Sequence, residues 1–141
     1  MSLETPVTPY SILIAEEIPG ICLSVSEIFR NGPYSVVIAS NGNDAFAKAN
    51  TQHFDLVITG IGMPGMDGIE LLHTLRKRKP DLPVIVIGRE TEIDAVYLRC
   101  ATMLGASGTF RHPVESSALL SHARMAIRQS RLRPPSHKSE P

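Results

Sequence analysis

Three observations predict an α/β fold with a parallel sheet covered by helices on both faces. Five short runs of β-branched and apolar residues recur along the chain, and each is followed by a segment whose apolar residues repeat every three or four positions. Turn residues punctuate the joints. Near-continuous apolar strands separated by helices imply parallel pairing, because each right-handed crossover lays a helix on one face until both are buried. The architecture is doubly wound.

Residues 11–15 (Ser-Ile-Leu-Ile-Ala) read as the first strand, and 19–30 as the first helix, where Ile21, Val25 and Ile28 share one face. The second pair is 35–39 (Ser-Val-Val-Ile-Ala) with 43–52, and the third is 55–59 (Asp-Leu-Val-Ile-Thr) with 67–78. Residues 84–87 (Val-Ile-Val-Ile) precede a helix over 91–104, and 108–111 (Gly-Thr-Phe-Arg) precede one over 114–130. Asn31-Gly32-Pro33 and Asn41-Gly42 are turn signals, Lys79-Pro80 ends the third helix, and Gly105 closes the fourth. This organisation gives an N-terminal extension over 1–9, one domain over 10–130, and a polar, proline-rich stretch over 131–141 that reads as a tail or a linker.

A chain of 141 residues fits a single core. Lys plus Arg and Asp plus Glu number 14 each, so only a local patch would attract nucleic acid, and direct nucleic-acid binding is not expected. The two cysteines, Cys22 and Cys100, lack metal-ligand spacing and read as reduced core thiols. His53, His73, His122 and His137 form no metal-like cluster and read as surface histidines, while Arg76-Lys77-Arg78-Lys79 reads as a solvated helix end. No run approaches the roughly 18 apolar residues of a membrane span, and the start has no secretory core. A cytoplasmic protein is expected.

The segment Phe54-Asp55-Leu56-Val57-Ile58-Thr59-Gly60-Ile61-Gly62-Met63-Pro64-Gly65-Met66-Asp67-Gly68, with Gly105-Ala106-Ser107-Gly108 further on, closely resembles the receiver domains of bacterial two-component response regulators. The resemblance covers roughly residues 10–130. It implies a flavodoxin-like (βα)5 fold with strand order 2-1-3-4-5, and a site beyond the carboxyl ends of the strands. It also implies where that site departs from its pattern. Gly60 stands at the phosphoacceptor aspartate, and glycine offers neither nucleophile nor charge. Gly88 replaces the hydroxyl that ends the fourth strand, His112 of His112-Pro113 replaces the lysine, and Thr109 replaces the aromatic switch three residues earlier. Glu16 and Glu17 replace the acidic pair after the first strand. Together with the Gly62 carbonyl they offer oxygen ligands for a weak Mg²⁺ site, and no other cofactor is expected. Thr59, alternating along its strand, points away and cannot take over the acceptor's chemistry.

Acceptor, hydroxyl, lysine and aromatic depart together, so the resemblance implies a degenerate receiver that is not an enzyme and acts by binding. Its partners would be a signalling protein such as a kinase or output domain, or a second copy of the chain. Two alternatives stand beside this reading. In one, Gly60, Gly62 and Gly88 enlarge a pocket at Glu16 and Glu17 for a cation or small cationic ligand. In the other, a phosphorelay protein keeps atypical residual activity. For the interface the sequence offers Glu92 and Asp94 on the fourth helix, with Arg124, Arg128 and Arg131 on the fifth flanking Leu119, Leu120, Ala123 and Ile127. Two extra residues between Gly88 and His112 place an insertion in or beside the fourth helix.

Overall fold

The computed structural model describes residues 9–132. Strands and helices alternate as β1 (Tyr10–Ala15), α1 (Pro19–Ile28), β2 (Tyr34–Ala39), α2 (Gly42–Thr51), β3 (Leu56–Thr59), α3 (Gly68–Arg78), β4 (Val84–Gly88), α4 (Glu92–Met103), β5 (Gly108–Arg111) and α5 (Ser116–Leu132). All pairings are parallel, in the order β2-β1-β3-β4-β5. This is the predicted flavodoxin-like (βα)5 topology, with element ends displaced by at most two residues.

Alternation along the strands builds two cores. Leu13, Ala15, Val57, Val84 and Val86 pack with Leu71, Leu72, Leu75 and Leu98 from α3 and α4. The intervening residues Ile12, Ile14, Leu56, Ile58, Ile85 and Ile87 pack with Val25, Phe29, Leu119, Ala123 and Ile127 from α1 and α5. Burying each such Leu or Ile stabilises the fold by about 1.5–3 kcal/mol before entropy is counted. These strands are buried on both faces, which is why they read as continuous apolar runs.

Local chemistry sets the helix starts. Asp67 and Glu70 form a reciprocal capping box on α3, Asn41 accepts from the Asp44 amide at 2.7 Å on α2, and Thr91 accepts from the Asp94 amide at 3.0 Å on α4. Asn41-Gly42, read as a turn, is therefore a helix cap. The αL position that follows α4 is Gly105, with φ of +100°.

Several expectations need correction. Cys100 is exposed rather than a core thiol, whereas Cys22 is half-buried against the α1/α5 core. The basic run is not simply solvated: the Arg76 guanidinium donates to the Pro80 carbonyl at 3.3 Å and to that of Leu82, and Arg78 lies 5.4 Å over the Phe46 ring. The fifth helix runs two residues past the predicted boundary at 130. Its last turn is held down, because Arg131 donates to Asp55 at 2.8 Å and sits 4.6 Å over the Tyr10 ring, while Ser130 donates to the Asp81 carbonyl at 2.6 Å. Residues 1–8 and 133–141, which hold nearly all of the predicted extension and tail along with His137, lie outside the described residues.

Asp55 ties three elements together, accepting from the Ser11 amide at 2.8 Å as well as from Arg131 and His53. Burial pushes its carboxyl up, but these donors outweigh burial and hold the pKa below the ordinary aspartate value. The stability it contributes is thus present above the unfolded value of about 3.9 and is lost as pH falls through the folded one. Asp55→Ala is expected to cost about 1–3 kcal/mol in urea denaturation at neutral pH, since it strands the Ser11 amide, and the deficit should shrink in acid.

Candidate functional site

The carboxyl ends of β1, β3, β4 and β5 converge, and each presents one of the singled-out residues. Ala15 pairs with Ala39 and with Thr59, so Glu16 and Gly60 leave the sheet side by side. Gly60 donates its amide to the Ala15 carbonyl at 2.9 Å, and the His112 amide donates to the Gly88 carbonyl at 2.8 Å. The loop after β3 is then fixed by close backbone packing. Gly68 donates to the Ile61 carbonyl at 2.7 Å, and a Cβ on Gly68 would sit 2.9 Å from the Gly60 carbonyl carbon, so only glycine fits there.

Gly60 itself is not a vacancy. The space where its Cβ would project is taken by the Glu16 carboxylate, whose Oε1 an added Cβ would overlap and whose Cδ it would meet at 3.1 Å. Glu16 is one of two buried polar residues among those described, the other being Thr59. Burial pushes the Glu16 carboxyl above the ordinary glutamate range, against the lowering pull of the Ile18 amide, which donates to Oε2 at 3.1 Å. The Glu17 amide and the Arg89 charge pull the same way, and the Glu17 carboxylate opposes them. Glu17 is exposed and does not join Glu16 in a closed pair. The Thr59 hydroxyl is spent on the Gly60 carbonyl at 2.9 Å, in agreement with its expected chemical silence.

At Gly88 the space is also taken. A Cβ there would lie 3.0 Å from Ile61 Cδ1 and 3.3 Å from both Cβ and Oδ2 of Asp94. The predicted enlargement of a pocket by Gly60 and Gly88 is therefore incorrect: neighbouring side chains have moved into both places, and only Gly62 faces open space. Among the described residues no three His, Cys, Asp or Glu side chains come together as a metal site. Glu16 accepts from the Ile18 amide, so one of its two oxygens is already engaged.

His112 is half-buried, and its Nε2 is buried without a hydrogen-bond partner among the described residues. Desolvation pushes its pKa down and the Arg89 guanidinium adds to the effect, so the ring is neutral near pH 7. Arg89 was missed by sequence reasoning. It follows β4 directly, and its charge acts on both Glu16 and His112. It supplies the cation that His112 does not. Thr109 lies beside Ala95, Leu98 and Thr102 of α4, while Phe110 turns to the opposite face and meets His122 edge-on at 5.5 Å.

The α4 and α5 charges offered for contact with a second copy have different local roles. Asp94 belongs to the site, accepting from the Arg89 amide at 2.6 Å. Arg131 is engaged by Asp55, and Leu119, Ala123 and Ile127 are core residues. Arg124, Arg128 and Arg131 line a groove facing α1, and Glu92 remains exposed at the start of α4. Beside Glu92, Arg99 and Thr102, α4 exposes an apolar stripe of Ile93, Val96, Tyr97, Cys100 and Met103, continued by Leu104 at its C-cap, with Ile93 67% and Met103 86% accessible. Their spacing of three and four was readable in the sequence, where attention to charge obscured it.

Comparison with known proteins places the frame. The family profile of the response regulator receiver domain matches residues 12–124. The chain belongs to that family. A transcriptional regulatory protein of Escherichia coli K12, GlrR, is 32% identical over 86% of this chain and 27% of its own length. Another, TcrX of Mycobacterium tuberculosis, described as a probable transcriptional regulatory protein, is 33% identical over 66% of this chain and 38% of its own. The chain thus spans well under half of these relatives. A CheY-like receiver protein from Methanospirillum hungatei superposes with a TM-score of 0.76 at 26% identity, covering 88% of this chain and 98% of that one. A Clostridium thermocellum receiver domain gives 0.78 at 24%, covering 87% and 98%, a likeness of fold. Receiver domains serve two-component signalling, and among the described residues of this one no helix is long and apolar enough to cross a membrane.

The raised Glu16 pKa sets a pH signature. A folded glutamate that keeps its proton to higher pH than the unfolded one contributes most below the unfolded value of about 4.3, and that contribution is lost as pH rises through the folded pKa. Glu16→Gln, which keeps the acceptor for the Ile18 amide, is expected to be more stable than wild type at pH 7 and no more stable near about pH 4, as read by denaturant melts at both.

Proposed function

We propose that this receiver domain does not cycle through aspartyl phosphorylation and works as a non-enzymatic protein-interaction module in the cytoplasm. The observation that carries this reading is the Glu16 carboxylate in the space beside Gly60: the acceptor is absent and its place is filled by the domain's own side chain. The Arg89 charge and the hydrogen bond from the Arg89 amide to Asp94 then complete the surroundings of that carboxylate. Such an arrangement gives a phosphoryl donor no nucleophile and gives Mg²⁺ no third carboxylate. Incubation with acetyl phosphate and Mg²⁺ is expected to leave the intact mass unchanged. A stoichiometric phosphoryl adduct on any residue around the site would overturn this reading.

The output of such a module is a contact surface, and α4 supplies one. This helix is apolar on its inner face through Leu98 and Ala101 and carries an apolar stripe on its outer side from Ile93 to Leu104. A contiguous apolar stripe left exposed on a surface helix marks an interaction site. The occupant we propose is a second copy of the chain, related by a two-fold axis so that the α4 stripes pack on each other. The formal charge of zero puts no net repulsion between copies. Sedimentation over a rising concentration series is expected to show self-association that Val96→Lys/Met103→Lys abolishes. Mild oxidation should trap the pair through Cys100 and fail in Cys100→Ser. A wild type that stays monomeric throughout would assign the stripe to a different protein.

A further inference from the structure

A groove of about 620 Å³ lies between α1 and the second half of α5, at the opposite end of the sheet from the degenerate site. Its lining divides by chemistry. Tyr10 and Tyr34 form an aromatic pair with ring centroids 5.9 Å apart, and Phe29 supports Tyr34 edge-on at 5.2 Å. Ile28, Leu120 and Leu132 contribute apolar surface, Leu132 being 77% accessible. The charged lining residues are Arg124, Arg128 and Arg131, and among the described residues no carboxylate lines the groove. Arg131 is engaged by Asp55, but Arg124 and Arg128 are exposed and have no ion pair or hydrogen bond among the described residues.

A helix C-terminus favours cations, which accounts for Arg128 and Arg131 near the end of α5. It does not account for Arg124, two turns further back, because that influence fades within the last turn. Residues four apart on a helix are neighbours, so the two free guanidinium groups can close on one anion. The volume is that of a small-molecule site, and a lining of aromatic and apolar surface with a few convergent polar groups is what such sites present. Charge of one sign in a chain whose total charge is zero selects the ligand's sign. The Arg131 guanidinium over Tyr10 already shows this floor accepting a flat partner at 4.6 Å.

We propose that the α1–α5 groove binds a small phosphorylated aromatic molecule of the nucleoside monophosphate class, its ring against Tyr10 and Tyr34 and its phosphate between Arg124 and Arg128. This site is separate from the Glu16–Gly60 site and does not depend on whether the domain is phosphorylated.

Nuclear magnetic resonance of the full chain tests it directly. Of the three tyrosines, two line the groove and Tyr97 on α4 is an internal control. Adenosine 5′-monophosphate, guanosine 5′-monophosphate, adenosine alone and inorganic phosphate alone would each be titrated while following the tyrosine ring signals and the Arg124 and Arg128 Nε–H signals. A nucleotide is expected to shift Tyr10, Tyr34 and both arginines, leave Tyr97 unmoved, and bind at least about tenfold more tightly than adenosine or phosphate. Arg124→Gln/Arg128→Gln, at two exposed positions, should weaken binding by about tenfold or more while leaving the rest of the spectrum in place. The proposal is overturned if no nucleotide moves these signals, if phosphate alone reproduces the shifts, if Tyr97 moves equally, or if the double variant binds as wild type does. It is also overturned if the groove signals respond only to deletion of residues 1–8 or 133–141, which would make the chain's own termini the occupant.

Discussion

The carboxyl end of the sheet is organised around one close contact, the Glu16 carboxylate against the bare backbone of Gly60. A side chain at residue 60 and the observed Glu16 conformation exclude each other. With no Cβ at that position, the longer arm of glutamate, relative to aspartate, folds inward and becomes buried. Burial costs the charged form its hydration, which raises the pKa, and the Ile18 amide and Arg89 charge offset part of that cost. The same glycine carbonyl backs onto Gly68, which fixes the loop between β3 and α3.

From this contact the other substitutions follow as a set. Ile61 and Asp94 close on Gly88 and leave little room for a side chain there. His112, neutral and with no hydrogen-bond partner at Nε2 among the described residues, is compatible with a neighbouring arginine where a second fixed cation would be repelled. Arg89 and Asp94 are then linked across the start of α4, which holds the segment that carries the exposed apolar face. On the reading proposed for this domain, these contacts hold it in one arrangement.

The fold was legible because its determinants are local or periodic. Continuous apolar strands mean burial on both faces, and Asp67 with Glu70 announces a helix start, so topology and element ends emerged within two residues. The bare backbone at Gly60 was legible as well, since absence of a side chain needs no geometry. What filled the absence was not: the inward turn of Glu16 and the reach of Arg89 are decisions among rotamers, settled by packing between elements 44 and 73 residues apart in sequence. Arg131 shows the same limit. As a charge on an amphipathic helix it looked free, and only the approach of β1 and β3 reveals Tyr10 beneath it and Asp55 beside it.

The central claim, that Glu16 occupies the acceptor's place, is tested most directly by following the side-chain carboxyl carbon of Glu16 through a pH titration in wild type and in Gly60→Ala. The account predicts that Glu16 titrates above the exposed glutamates in wild type, and that the added methyl of Gly60→Ala expels the carboxylate toward solvent and brings its pKa back toward theirs. A Glu16 that titrates with the exposed glutamates in both proteins would contradict it.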